Sequence, residues 1–185
     1  MIYKTLYTFR LLLNDYLKQS FGLTQDIAFL CPVKDSEKAL SNNKINITLV
    51  NVERETGRGI QFKYTNTDSN HSRKTSPAWQ LSIYVLISAV FSEKQYEESL
   101  QILSGILSFL QTNNLLTVQD AETPVSIEPV NLSFQELSNL WSICGGNYYP
   151  SLLCKIRVLT VDEQEISGMS AVIGKPEVET KKSET

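Results

Sequence analysis

The sequence predicts an α/β fold of the α+β kind: a single domain in which helices pack mainly on one face of a mixed four-stranded sheet. Three observations predict it. Apolar residues recur at helical spacing over Tyr3–Ser20 and Tyr96–Gln111. Apolar and polar residues alternate over Ile45–Val52, and one face after Pro77 is apolar at every second position, as half-buried strands show. A third helix with a complete start signal lies between two further strands, so helices and strands interleave with no internal repeat.

In the opening helix, Ile2, Leu6, Phe9, Leu13, Tyr16 and Leu17 form one stripe, and Gly22 lies just past its end. Thr24–Asn43 is mixed, with Pro32 breaking any regular element. Ile45–Val52 (INITLVNV) reads as the first strand. Glu53–Ser76 contains Gly57, Gly59 and the polar run NTDSNHSRKTS; its middle, IQFKY, alternates enough for a short hairpin arm, and the remainder reads as an exposed, mobile loop. After Pro77, Trp79, Leu81, Ile83, Val85, Ile87, Ala89 and Phe91 share one face, while Gln80, Ser82, Tyr84 and Ser88 share the other. At ~3.3 Å per residue this strand spans roughly 40 Å, well beyond the usual length.

Leu100, Leu103, Leu107 and Leu110 form the seam of the second helix. Gly105 sits in its middle at a cost of ~1 kcal/mol against alanine, which suggests close packing on the sheet. A short strand, Val125–Val130, comes next. Ser133 is placed as the N-cap of the third helix, Glu136 completes a capping box, and Leu132 and Leu137 are spaced as a hydrophobic staple. Leu137, Leu140, Trp141 and Cys144 form its apolar face, and Gly145-Gly146 stops it. On the last strand Leu152, Cys154, Ile156 and Val158 point inward, with Lys155 and Arg157 outward. Apolar periodicity fails from Glu163. The expected organisation is therefore a domain over 1–162 with an arm at 53–76, and a tail over 163–185 that is disordered or docked on a partner.

The composition is that of an ordinary globular chain, and a net charge of −3 argues against a dedicated nucleic-acid binder. Cys31, Cys144 and Cys154 are odd in number and widely spaced, which suggests reduced thiols in a cytoplasmic protein. The first helix is interrupted by Lys4, Arg10, Asn14, Asp15 and Lys18 and so lacks a signal-peptide core. No apolar run approaches the ~18 residues that a membrane span requires.

Chemistry-bearing residues are sparse. His71, the only histidine, lies in the polar run, where nothing would orient it as a catalytic base. Cys144 and Cys154 fall on inward faces, so core packing explains them better than nucleophilic use. Gly57-Arg58-Gly59 lacks the Lys-Ser/Thr and helix start of a phosphate loop, and Asp120 and Glu122 do not specify a metal site. No cofactor, metal or enzymatic activity is expected. In the arm, Arg54, Arg58, Lys63, Arg73 and Lys74 outnumber Glu53, Glu55 and Asp68 by two (5 − 3). These cations, with Lys175, Lys181 and Lys182 of the tail, are the candidate partner-binding residues. Tyr148-Tyr149-Pro150 reads as a packing corner. The rival readings are a small cytoplasmic α/β hydrolase or ligand-binding domain, and a nucleic-acid-associated adaptor.

Several stretches together carry a resemblance: the amphipathic first helix, ITLVNVERE with a polar loop behind it, Pro77 leading into LSIYVLISA, and above all SFQELSNLWSICGGNYYPSLLCKIRVLTVD. In these the chain resembles the tail-cap (tail-terminator) family of phage-tail-like contractile injection systems, typified by the sixteenth component of the Photorhabdus virulence cassette and of the antifeeding prophage. Ser76 stands where that family usually has the first of two prolines. The resemblance covers roughly Tyr3–Asp162. It implies a tail-terminator-like fold and a hexameric ring of identical subunits closing the baseplate-distal end of the inner tube and sheath. That ring would end polymerisation and anchor sheath to tube, within a particle released or membrane-anchored through other components. The implied partners are further copies of the chain, the inner tube protein, the sheath protein and, in some systems, a second cap-like protein, with no nucleic acid and no membrane span.

Overall fold

The computed structural model describes residues 1–32, 43–55, 63–68, 71–75, 79–118, 124–161 and 166–171. In chain order these form α1 (Ile2–Phe21), β1 (Ala28–Leu30), β2 (Lys44–Arg54), β3 (Lys63–Asp68), β4 (His71–Thr75), β5 (Trp79–Val90), α2 (Tyr96–Thr112), β6 (Leu115–Leu116), β7 (Val125–Val130), α3 (Phe134–Ile143), β8 (Ser151–Val161) and β9 (Ile166–Ala171). A single 3-10 turn, Glu93–Gln95, leads into α2. The chain divides into two units: Met1–Glu55 with Gln80–Val161, and Thr56–Trp79 with Asp162–Thr185.

The first unit is built on a six-stranded sheet in the order β1-β2-β5-β8-β7-β6. β1 runs parallel to β2, whereas β2–β5, β7–β8 and β6–β7 are antiparallel, so the sheet is mixed. Two of its strands escape the sequence reading, which expects four. β1 and β6 are three and two residues long, too short for a period of two to show.

α1 and α2 cover one sheet face. Phe9, Leu13 and Leu17 of α1 and Ile102, Ile106 and Phe109 of α2 join Ile45, Ile47, Ile83, Val85, Ile87, Ile127, Cys154 and Ile156 in one buried cluster. Of the inward faces read from alternation, Ile83, Val85, Ile87 and Ala89 of β5 and Cys154 and Ile156 of β8 are buried, whereas Trp79 at the start of β5 is exposed and the Val158 side chain lies outside the described residues. α3 lies on the opposite face, where Trp141 packs on Leu86 with Leu137, Leu140, Cys144, Tyr149 and Leu153 around them. Helices therefore occupy both faces, two against one. Leu86 and Leu153 supply the second apolar layer from strand positions that otherwise read as the polar side.

Two local expectations are corrected. Gly105 makes room for α1 rather than for the sheet: a Cβ there would lie 2.6 Å from Phe21 Cε2. β2 is half-buried only as far as Thr48, because a bulge between Leu49 and Asn51 shifts its register against β5 and leaves Leu49, Val50 and Val52 exposed.

The second unit contains a three-stranded antiparallel sheet in the order β3-β4-β9. The polar run expected to be a loop thus supplies both strands of a hairpin, closed at Asp68↔His71. Residues 166–171, placed in the tail by the sequence, form β9 against β4. Of the expected IQFKY arm, residues 60–62 lie outside the described residues, as do 162–165 and 172–185 of the tail.

Candidate partner interface

Cys144 and Cys154 are the cysteines the sequence places on inward faces. Burial pushes the Cys154 thiol up to about 12 and raises that of Cys144, which keeps both sulfurs as unreactive thiols. Among the described residues, no three or more His, Cys, Asp or Glu side chains are grouped to hold a metal ion. No helix among them is long and apolar enough to cross a membrane. Asp120 and Glu122 lie outside the described residues.

The basic candidates fall into three groups. Arg54 ends β2 in the first unit, paired in register with Leu81 of β5. Lys63, Arg73 and Lys74 belong to the hairpin of the second unit, where Lys63 pairs with Thr75, Tyr64 with Lys74 and Thr65 with Arg73. Three cations up to eleven positions apart in sequence are thereby gathered at the open end of one hairpin, with Asp68 at its closed end. Arg58, Lys175, Lys181 and Lys182 lie outside the described residues.

At the end of the first unit's long ladder, where the chain leaves for the arm, a small polar cluster fixes the backbone. The Glu55 N–H donates to the Gln80 carbonyl at 2.8 Å, so pairing with β5 continues one residue beyond β2. The Glu55 carboxylate accepts from the buried Ser82 hydroxyl and pairs with Lys155 Nζ at 3.0 Å. Lys155 also lies 5.3 Å from the centroid of the Tyr84 ring. These bonds, the Ser82 hydroxyl foremost, hold the Glu55 carboxyl below its usual value, and the hydrogen bond to Glu55 raises the Lys155 ammonium. The cluster anchors the root of the arm. In the sequence only the outward position of Lys155 hints at it, because Glu55, Ser82 and Lys155 are brought together by sheet pairing alone.

β2 also presents an edge. Among the described residues, β1 covers it only from Ile45 to Ile47 in register, with Cys31 adding an N–H bond to the Ile47 carbonyl and a carbonyl that accepts from Thr48 Oγ1. Beyond Thr48, exposed Leu49, Val50 and Val52 follow on a strand paired through β5. Exposed strand of this kind can accept an added strand from a partner, and a bulge is one device that limits indiscriminate pairing.

The family model described as the Pvc16 N-terminal domain matches residues 5–174. Among solved structures, the chain is similar to the PVC sheath/tube terminator of an extracellular contractile injection system in its extended state, with 16% identity, a TM-score of 0.70, and 99% of this chain and 64% of that chain covered. It is also similar to the tube-terminating cap of the anti-feeding prophage, with 16% identity, a TM-score of 0.53, and 94% and 58% covered. The chain thus spans just under two thirds of the length of the first structure. No curated protein matches it in sequence.

Proposed function

Since the chain belongs to the Pvc16 N-terminal domain family, we propose that it is a structural tail terminator that caps the tube and sheath of a contractile injection system. One observation carries this reading: a single family model spans 5–174, and the fold of a sheath/tube terminator overlays 99% of the chain. In this role the chain forms a ring, a hexamer in our reading, whose subunits occupy the binding surface of the last tube layer and so end polymerisation. Heterologous contacts between identical subunits close into such a ring when the rotation between them closes.

The first unit is the rigid frame, and the arm and tail make the outward contacts. Arg54, Arg58, Lys63, Arg73 and Lys74 of the arm face the tube or a neighbouring cap subunit. Lys175, Lys181 and Lys182 of the tail face the sheath. A layout of framework plus basic extensions suits recognition by charge complementarity, which sets partner choice and register more than raw affinity.

The test is assembly of tube and sheath with and without this chain, scored by the distribution of particle lengths in electron micrographs. Termination predicts a broad distribution without the chain and a narrow one with it, together with density at one end of the tube only. Unchanged length distributions and bare tube ends would exclude the role.

A further inference from the structure

We propose that the first unit carries a pocket for a basic side chain, and that its occupant is an arginine or lysine from the 53–76 arm of a second copy of this chain. A cavity of about 630 Å³ opens where β5 ends and the chain turns into α2, with the Gly146–Pro150 segment alongside. The Ala89 N–H donates to the Pro150 carbonyl at 2.9 Å and ties that segment to the strand. The volume falls in the range of pockets that enclose small ligands.

Its lining is chemically one-sided. Among the described residues that line it, Phe91, Tyr96, Tyr148 and Tyr149 contribute aromatic walls, Glu93 is the one carboxylate, and there is neither lysine nor arginine. Tyr148 and Tyr149 each meet Trp141 edge-on, with ring centroids 5.6 and 6.0 Å away, and Trp141 is itself buried. The aromatic corner is therefore held in place by the second apolar layer. Aromatic faces attract a guanidinium or ammonium group through the ring quadrupole, and a carboxylate beside them adds a charge-assisted hydrogen bond. An anion would be repelled by both.

Just outside, Glu97 and Glu98 occupy the first turn of α2 and are opposed by Lys94, a local balance of −2 with Glu93 counted (1 − 3). Acidic residues at a helix start also suit the helix dipole, and that alone would account for the carboxylates. It does not account for the four aromatic side chains that share the cavity lining with Glu93.

The second copy is the occupant that fits the charge. The arm carries five cations against three acids, so one chain holds both an acid-and-aromatic pocket and a basic extension. Head-to-tail association joins two different patches of identical subunits, and these two are complementary. The inference rests on the terminator reading for the expectation that copies associate.

The experiment titrates unlabelled full chain, wild type or pocket variant, into a labelled full-length Glu93→Lys chain, whose arm is unaltered, and follows fluorescence anisotropy. Glu93→Lys and Tyr96→Ala are compared with wild type as the titrant, since both residues are exposed and the fold can be verified by circular dichroism. We expect each substitution in the titrant, and replacement of the five arm cations of the labelled chain by glutamine, to weaken binding about tenfold or more. Self-association of the chain measured by mass should fall with Glu93→Lys. It should recover when that variant is mixed with an Arg73→Glu, Lys74→Glu chain. A labelled chain that does not bind, or that binds wild type and pocket variants equally, overturns the proposal. Binding seen only after the titrant's own arm is charge-reversed overturns the second-copy occupant in favour of the chain's own arm. Particle lengths scored on the same variants separate the two readings: capping that persists while binding ignores the pocket substitutions overturns the pocket and leaves the terminator role standing.

Discussion

Ser133 and Glu136 close the capping box of α3 in both directions: the Glu136 N–H donates to Ser133 Oγ at 3.3 Å, and the Ser133 N–H donates to Glu136 Oε2 at 2.8 Å. The short helix carries Trp141 onto Leu86, so fraying at its start loosens the second apolar layer. Ser133→Ala should lower the unfolding free energy by ~1 kcal/mol, read as a shift of the urea midpoint at constant slope. Glu55 and Glu136 share a pH signature. Both carboxyls are held below the usual 4.5, Glu55 chiefly by the Ser82 hydroxyl and Glu136 by the Ser133 backbone N–H. A carboxyl with a depressed folded value stabilises above its unfolded value, and that contribution is lost as pH falls through the folded one. Wild-type stability should therefore drop as pH falls below about 4.5, and Glu55→Gln should flatten part of that drop in acid thermal melts. Residue chemistry of this sort divides sharply by legibility. The capping box is legible because its partners are three positions apart; the Glu55–Ser82–Lys155 cluster is not, because only sheet pairing brings them together.

Among the elements, β1 shows how a three-residue strand survives at a sheet edge. Asn14, buried inside α1, donates from Nδ2 to the Ala28 carbonyl at 2.9 Å and accepts from the N–H groups of Ile27 and Ala28 at 3.0 and 2.9 Å. One side chain thereby satisfies three backbone groups on the side that β2 does not pair. Asn14→Ala would leave them unpartnered and buried, and should cost roughly 3 kcal/mol in chemical denaturation. It should also raise hydrogen-exchange rates at Ile27 and Ala28 ahead of the rest of the sheet. In the sequence Asn14 is merely a polar interruption of an apolar stripe. Its role depends on a strand fourteen positions away that has no periodic signature of its own. The bulge at Leu49/Asn51 leaves only a trace in the sequence, the adjacent apolar pair Leu49-Val50 that interrupts the alternation of INITLVNV, and the register slip itself is visible only against β5.

At the scale of the molecule, the arm and the tail become one structural matter once β9 pairs with β4. A two-stranded hairpin is marginal by itself in water, whereas a third strand makes such a sheet far more persistent. Deleting 163–185 should leave the cooperative melt of the first unit unchanged, because the described members of its buried cluster all come from Leu6 to Ile156. The same deletion should make the β3–β4 hairpin more sensitive to limited proteolysis at Lys63, Arg73 and Lys74 than it is in the full chain. Equal cleavage rates in the two proteins would show that β9 does not support the hairpin. A truncation at 172 retains β9 and serves as the control.

The sequence by itself determined the long elements, the capped helix, the inward faces of the central strands and the family resemblance. All of these are written in local periodicity and short-range caps, where a residue's neighbours in the chain are also its neighbours in space. Only the tertiary structure decided that the sheet has six strands, that α3 covers the face opposite α1 and α2, and that polar segments 63–75 and 166–171 pair as strands. Those outcomes depend on long-range hydrogen bonding and on single residues such as Leu86 and Leu153, which sit on a face that reads as polar until Trp141 packs against it.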